Sequence, residues 1–351
     1  MALTTTLKGS KMFHIPVRRN SLKMSCFSPI EAWDYTPDQF DLFAKKEISL
    51  HPPCLADRER MIRQGRRLEL PCRKCVGCRL SKSREWANRV IMEQTYHGSS
   101  WFLTLTYDDQ HLRPAMPVDS STGEILSVHA TLVKDDLQRF FKRLRKNSKQ
   151  KIRYFASGEY GSKTYRPHYH LLIFGLVLDD LEVIRHNFAG NPYYVSSFIE
   201  KCWPYGIHIL GPVTWQSAAY VARYTMKKAI HGFDRRYYDR AGIQPEFQVM
   251  SLKPGLGAQY YYDHPEIFDY DSFSVSTPTG GRKMYPPEYF RKLFAKDHPI
   301  EALIRSRKAM DNAEVIQHLK LMLTDKDFYD ILKDDERRAL SRLSKLIRDD
   351  I

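Results

Sequence analysis

The chain has 351 residues, 42% of them hydrophobic, with 55 Lys and Arg against 41 acidic residues and a net charge of +14. That length and apolar content exclude wholesale disorder and allow more than one domain with a sizeable core. The surplus of positive charge points to a polyanionic partner, nucleic acid first, while the absence of any run of about 18 apolar residues excludes a membrane-spanning helix.

Residues 1–50 show no sustained period, and the first 30 carry several bases and no acid, as a flexible basic arm would. Met24 is an alternative start. Residues 51–100 are basic and contain Cys54, Cys72, Cys75 and Cys78, followed by a helix over 83–97 with Trp86, Val90 and Ile91 near one side. "WFLTLTY" at 101–107 reads as a strand, and 113–128 as a Pro/Ser/Gly-rich loop. "KDDLQRFFKRLRKN" at 134–147 is an amphipathic helix, with Leu137, Phe140, Phe141 and Leu144 at helical spacing. Strands at 152–161 and 168–177 form a hairpin, 179–188 is a helix candidate, 206–215 a further strand and 217–230 a helix. Residues 233–287 read as an irregular Gly/Pro/Tyr-rich segment, and 288–351 as charged and helical. The order predicts an α+β protein, its sheet core within 101–232 and a hairpin at the centre.

In "RPHYHLLIFG" the strand period of two puts His168 and His170 on one face and Tyr169 on the other. Two imidazoles so placed reach one metal ion; two partly exposed surface histidines are the plainer alternative. Glu159 lies near the turn of the preceding strand, and a suitable register brings it beside the pair. One Glu and two His leave open coordination positions and accept Mg²⁺ or Mn²⁺, as phosphodiester chemistry uses.

On the 217–230 helix, Tyr220 and Tyr224 lie one turn apart on a shared face, and Lys227 falls within roughly 20° of Tyr220, with Lys228 beside it. A phenol is a poor nucleophile until cations or a metal-bound phosphate favour phenolate. Amphipathic packing is the other reading of these rings. Metal, paired phenols and a basic surface together suit single-strand DNA nicking with covalent capture.

"FLTLTY", "GEYG", "RPHYHLLIFG" and "AAYVARYTMKK" stand in the order of the three motifs of HUH endonucleases that initiate rolling-circle replication. With "PCRKCVGCRL", "FFKRLRK" and "PEFQVMSLKPGLG", residues 50–260 resemble the replication initiators of gokushoviruses, single-stranded-DNA phages of the Microviridae. The resemblance implies a central antiparallel five-stranded sheet with flanking helices, and a divalent ion on His168, His170 and an upstream acid in the place of Glu159. It also implies Tyr220 and Tyr224 as nucleophiles, with Lys227 and Lys228 near the phosphate. The implied partners are viral single-stranded and replicative-form DNA with host helicase and DNA polymerase, in the cytoplasm of the bacterial host. No G-x-x-x-x-G-K-[ST] sequence for ATP occurs.

"CRKCVGC" spaces Cys72, Cys75 and Cys78 as zinc knuckles do, with Cys54, Cys26 or a histidine as the fourth ligand and Cys54 preferred; reduced thiols are the alternative. Six cysteines so crowded do not make a secreted disulfide framework, which favours a reducing compartment. Other classes remain open: a transposase or relaxase of the same fold, or a non-enzymatic zinc-containing DNA-binding regulator. Relaxases usually place the tyrosine before the histidines, against the order found here.

Overall fold

The structure is a computed structural model that describes residues 18–19, 26–37, 45–119, 121–125, 128–161, 164–187, 190–224, 235–277 and 280–344. The chain divides into two compact units, Met1–Cys78 with Leu293–Ser341, and Arg79–Lys292 with Arg342–Ile351.

The first unit holds a four-stranded sheet of order β1-β4-β2-β3, from β1 (Arg18–Arg19), β2 (Ile30–Asp34), β3 (Ile48–Ser49) and β4 (Arg67–Leu70). The helix α1 (Leu55–Arg63) lies between β3 and β4. Residues 26–36 are therefore not the flexible arm that the sequence suggests. Ala32 and Trp33 of β2 are fully buried, and Thr36 N–H donates to Asp34 Oδ1 at 2.9 Å. Five residues with one apolar pair are too short to show a period. The helix α2 (Val76–Gln94) starts at the end of this unit, several residues earlier than its apolar stripe announces.

The second unit is built on a seven-stranded antiparallel sheet of order β10-β11-β12-β5-β9-β8-β13. In chain order its parts are β5 (Ser100–Tyr107), α3 (Lys134–Ser148), β8 (Arg153–Tyr160), β9 (Pro167–Phe174), β10 (Leu181–His186) and β11 (Pro192–Ser196). They continue with α4 (Ser197–Cys202), β12 (Gly206–Pro212), α5 (Trp215–Tyr224), α6 (Arg235–Ala241) and β13 (Phe247–Met250). A short pair, β6 (Pro114–Ala115) and β7 (His129–Ala130), interrupts the loop after β5.

The α+β class holds, with seven strands in place of five. The stretch at 179–188 contributes edge strand β10, not a helix. Val183 and Ile184 are both largely exposed, so no buried face imposed a period of two, and their β-branched side chains favour the extended form. The segment read as irregular supplies β13, then α7 (Ala258–Asp263) and the hairpin of β14 (Phe273–Thr277) with β15 (Gly280–Met284). The charged C-terminal region forms α8 (Glu288–Asp297), α9 (Pro299–Met322) and α10 (Phe328–Ser344). No described helix is long and apolar enough to cross a membrane.

Both faces of the large sheet are buried, which explains why β5 and β9 read as nearly continuous apolar runs. Leu103, Leu105, Tyr107, Tyr169, Leu171 and Ile173 pack with Phe140, Phe141 and Leu144 of α3 and Trp203 after α4. On the opposite face Phe102, Phe155, Leu172 and Phe174 pack with Trp86, Ala87 and Val90 of α2 and Ala218, Ala219, Val221 and Ala222 of α5. The alanines let α5 lie close: Ser83 Oγ of α2 donates to Ala219 O at 2.7 Å. The second face carries the chemistry.

Candidate active site

The hairpin of β8 and β9 sets the site by its register. Gly161 N–H donates to Arg166 O at 3.0 Å across the turn, and Tyr160 then pairs with Pro167, Glu159 with His168 and Ser157 with His170. On the other side of β9, Thr106 pairs with His168 and Thr104 with His170. One face therefore presents Thr104, His168, His170, Ser157 and Glu159 together.

His168 Nε2 lies 2.6 Å and His170 Nε2 2.9 Å from the same atom, Glu159 Oε1. Glu159 is 1% and His170 2% exposed, while His168 is only partly buried and opens the group on one side. The other ring nitrogens are also held. His168 Nδ1 donates to Arg166 O at 3.0 Å, and His170 Nδ1 meets Thr104 Oγ1 at 3.0 Å. The first bond leaves the His168 Nε2 lone pair facing the carboxylate, the orientation that metal-binding imidazoles take from their outer partners. Burial, the largest influence on Glu159, pushes its carboxyl up. The hydrogen bonds from His168 and His170, with the charge of those rings, outweigh it and hold the carboxyl below its ordinary range. Glu159 is thus a buried carboxylate at neutral pH.

The three donor atoms lie within 4.8 Å of one another. One carboxylate oxygen and two imidazole nitrogens make a mixed donor set that fits Mn²⁺ or Mg²⁺ completed by water and phosphate oxygens, the nitrogens favouring Mn²⁺.

Tyr220 reaches this group from α5. Its ring stands edge-on to His170, centroids 5.4 Å apart at 77°, and edge-on to Phe102 at 6.3 Å. Tyr224 closes α5, but its side chain lies outside the described residues, as do Lys227 and Lys228. Tyr169 points to the far face and is fully buried there.

Sequence reading missed three contributors. Thr104 was visible in the alternation of "TLT" opposite "HYH". Arg166, which donates from Nε and Nη2 to Tyr107 O at 3.0 and 2.8 Å, carries no periodic signal. Gln248 on β13 pairs with Ser157 in the row of His170. Buried Ser157 Oγ and Gln248 Nε2 have no hydrogen-bond partner among the described residues.

Cys72, Cys75 and Cys78 do come together, but with Cys26, not with Cys54. Cys54 is exposed and its Sγ donates to Asp57 Oδ2 at 3.1 Å at the start of α1. This corrects the preferred fourth position.

A basic chain whose antiparallel sheet sets Glu159, two histidines and a helical tyrosine on one face belongs, by comparison with known proteins, to the class of replication-associated proteins. A family model described as replication-associated protein ORF2 matches residues 100–229, which include every member of the group. The chain is 33% identical over 289 residues to replication-associated protein ORF2 of Spiroplasma virus 4, covering 80% of this chain and 85% of that protein. It is 33% identical over 280 residues to replication-associated protein VP4 of Bdellovibrio phage phiMH2K, covering 79% of each. Replication-associated protein ORF4 of Chlamydia phage 1 is 29% identical over 236 residues, 65% of this chain and 54% of that protein. The chain belongs to this Microviridae family of phage replication-associated proteins. No solved structure matches it.

Proposed function

We propose that the chain initiates rolling-circle replication by nicking the viral strand at the origin of the double-stranded replicative form, capturing the 5′ end on tyrosine. The observation that carries this reading is the meeting of both Nε2 atoms at one buried carboxylate oxygen, with the Tyr220 ring against one of the imidazoles. When bound to Glu159, His168 and His170, Mg²⁺ or Mn²⁺ would supply Lewis-acid polarisation of the scissile phosphate. Thr104 and the Arg166 carbonyl fix the ring orientations from the Nδ1 side.

Tyr220 Oη attacks phosphorus, and the bond to the 3′ oxygen breaks. The phenolic proton leaves as the 3′ oxygen takes one up, so a 5′-phosphotyrosine ester and a free 3′-OH result. One ester replaces another, and no nucleotide hydrolysis is required. Tyr224, one turn along, cleaves the regenerated origin, and the released 3′-OH reverses the first ester to close the displaced strand. Lys227 and Lys228 neutralise phosphate charge. Host helicase opens the duplex and host polymerase extends the 3′-OH in the bacterial cytoplasm.

A labelled origin-strand oligonucleotide, incubated with Mn²⁺ and run on a denaturing gel, tests this. The expected product is a slow protein–DNA band, lost on joint Tyr220→Phe and Tyr224→Phe substitution. Persistence of the band in that variant overturns the nucleophile assignment. Failure of any divalent ion to give a band, with salt-sensitive binding retained, favours a non-enzymatic regulator.

A further inference from the structure

We propose that Cys26, Cys72, Cys75 and Cys78 bind one zinc ion through four thiolates, forming a structural site separate from the Glu159–His168–His170 group. The site follows from the pairing of two short strands. β2 and β4 run antiparallel with Ile30 opposite Leu70, so the chain entering β2 lies beside the chain leaving β4. Cys26 and Cys72 are brought together by that register, although 46 positions separate them.

The contacts there are reciprocal. Cys72 N–H donates to Cys26 Sγ at 3.3 Å, and Phe27 N–H donates to Cys75 Sγ at 3.3 Å. Inside the C-x-x-C turn, the Lys74 and Cys75 N–H groups both donate to Cys72 Sγ, at 3.4 and 3.2 Å. Arg73 takes a left-handed backbone, φ 60°, to make that turn. Amide donors aimed at sulfur favour the thiolate, which is the form that binds metal. Cys78 completes the set from the first turn of α2.

All four Sγ atoms lie within 4.8 Å of one another, and Cys26 and Cys75 are 3.9 Å apart. A tetrahedron with zinc–sulfur bonds of about 2.3 Å has edges of about 3.8 Å. No pair is joined as a disulfide. Four sulfur donors select a soft or borderline cation over Mg²⁺, Mn²⁺ or Ca²⁺. With every position filled by protein, the ion's role is to hold the chain and not to activate water. Four thiolates around Zn²⁺ leave a charge of −2, and the Arg73 and Lys74 side chains lie within the knuckle itself.

Elemental analysis of the full chain, purified without added metal, is the test. One zinc per chain is expected in the native protein and in Cys54→Ser and Glu159→Gln, falling nearly to none in Cys26→Ser. A chain that holds iron instead, or that lacks metal and shows disulfides, overturns the proposal. So does zinc retained in Cys26→Ser or lost in Glu159→Gln. Should Cys26→Ser fail to fold, mercurial titration of the native chain decides. Zinc release tracking the modification of four thiols supports the site, and release unrelated to thiol modification refutes it. Cobalt exchanged into the site should show the intense visible absorption of tetrahedral thiolate coordination.

Discussion

Thr104 shows how a residue that touches no substrate can govern the site. Its hydroxyl holds His170 Nδ1 at 3.0 Å, and the opposite nitrogen then faces Glu159. Thr104→Val keeps the β-branched shape but removes that bond. Loss of such an outer partner typically weakens metal affinity about 10–100-fold. The expected outcome is a rise of that size in the Mn²⁺ concentration needed for half-maximal nicking, with cleavage restored at high Mn²⁺ and the melting temperature little changed. An unaltered Mn²⁺ dependence would remove Thr104 from the machinery. The Arg166 carbonyl performs the same service for His168.

At the level of elements, α3 is anchored by the strand that carries the histidines. Val133, its N-cap, has no side-chain oxygen to offer. The Tyr169 hydroxyl instead accepts from Val133 N–H at 2.9 Å and lies 2.8 Å from the Tyr107 hydroxyl, which donates to Asp136 at 3.0 Å. Asp136 is fully buried and paired with Arg113 and Arg139. Tyr169→Phe leaves the Val133 N–H without that partner, and urea unfolding should report a loss of about 1–3 kcal/mol. A stability equal to the parent protein would show that α3 is held by its apolar stripe alone. Much of this architecture is legible in the sequence. The stripe of α3, the alternation of β5 and β9 and the facing of His168 with His170 all come from a period imposed by burial. Where burial imposes none, reading fails. Exposed β10 resembles a helix, and β2 and β4 are too short to announce the pairing that joins Cys26 to Cys72. The hairpin length carries Glu159 to His168, but the partner of Cys72 lies across a register that no local pattern reveals.

For the whole molecule, charge decides how it meets its partner. A net +14 implies association dominated by phosphate contacts and counterion release. A single-strand footprint of about four phosphates predicts a slope near −3 for log affinity against log salt. Filter binding between low and physiological salt measures it, and a flat dependence would exclude electrostatic capture.

Strand β9 is hydrogen-bonded to β5 and β8 and covered on both faces. Its amides at 168–174 therefore belong with the last to trade hydrogen for deuterium, opening only when the entire second unit comes apart. Fraying at β10 or along the outer helices leaves the imidazoles where they are, so partial unfolding should blunt DNA engagement before it dismantles the metal ligands.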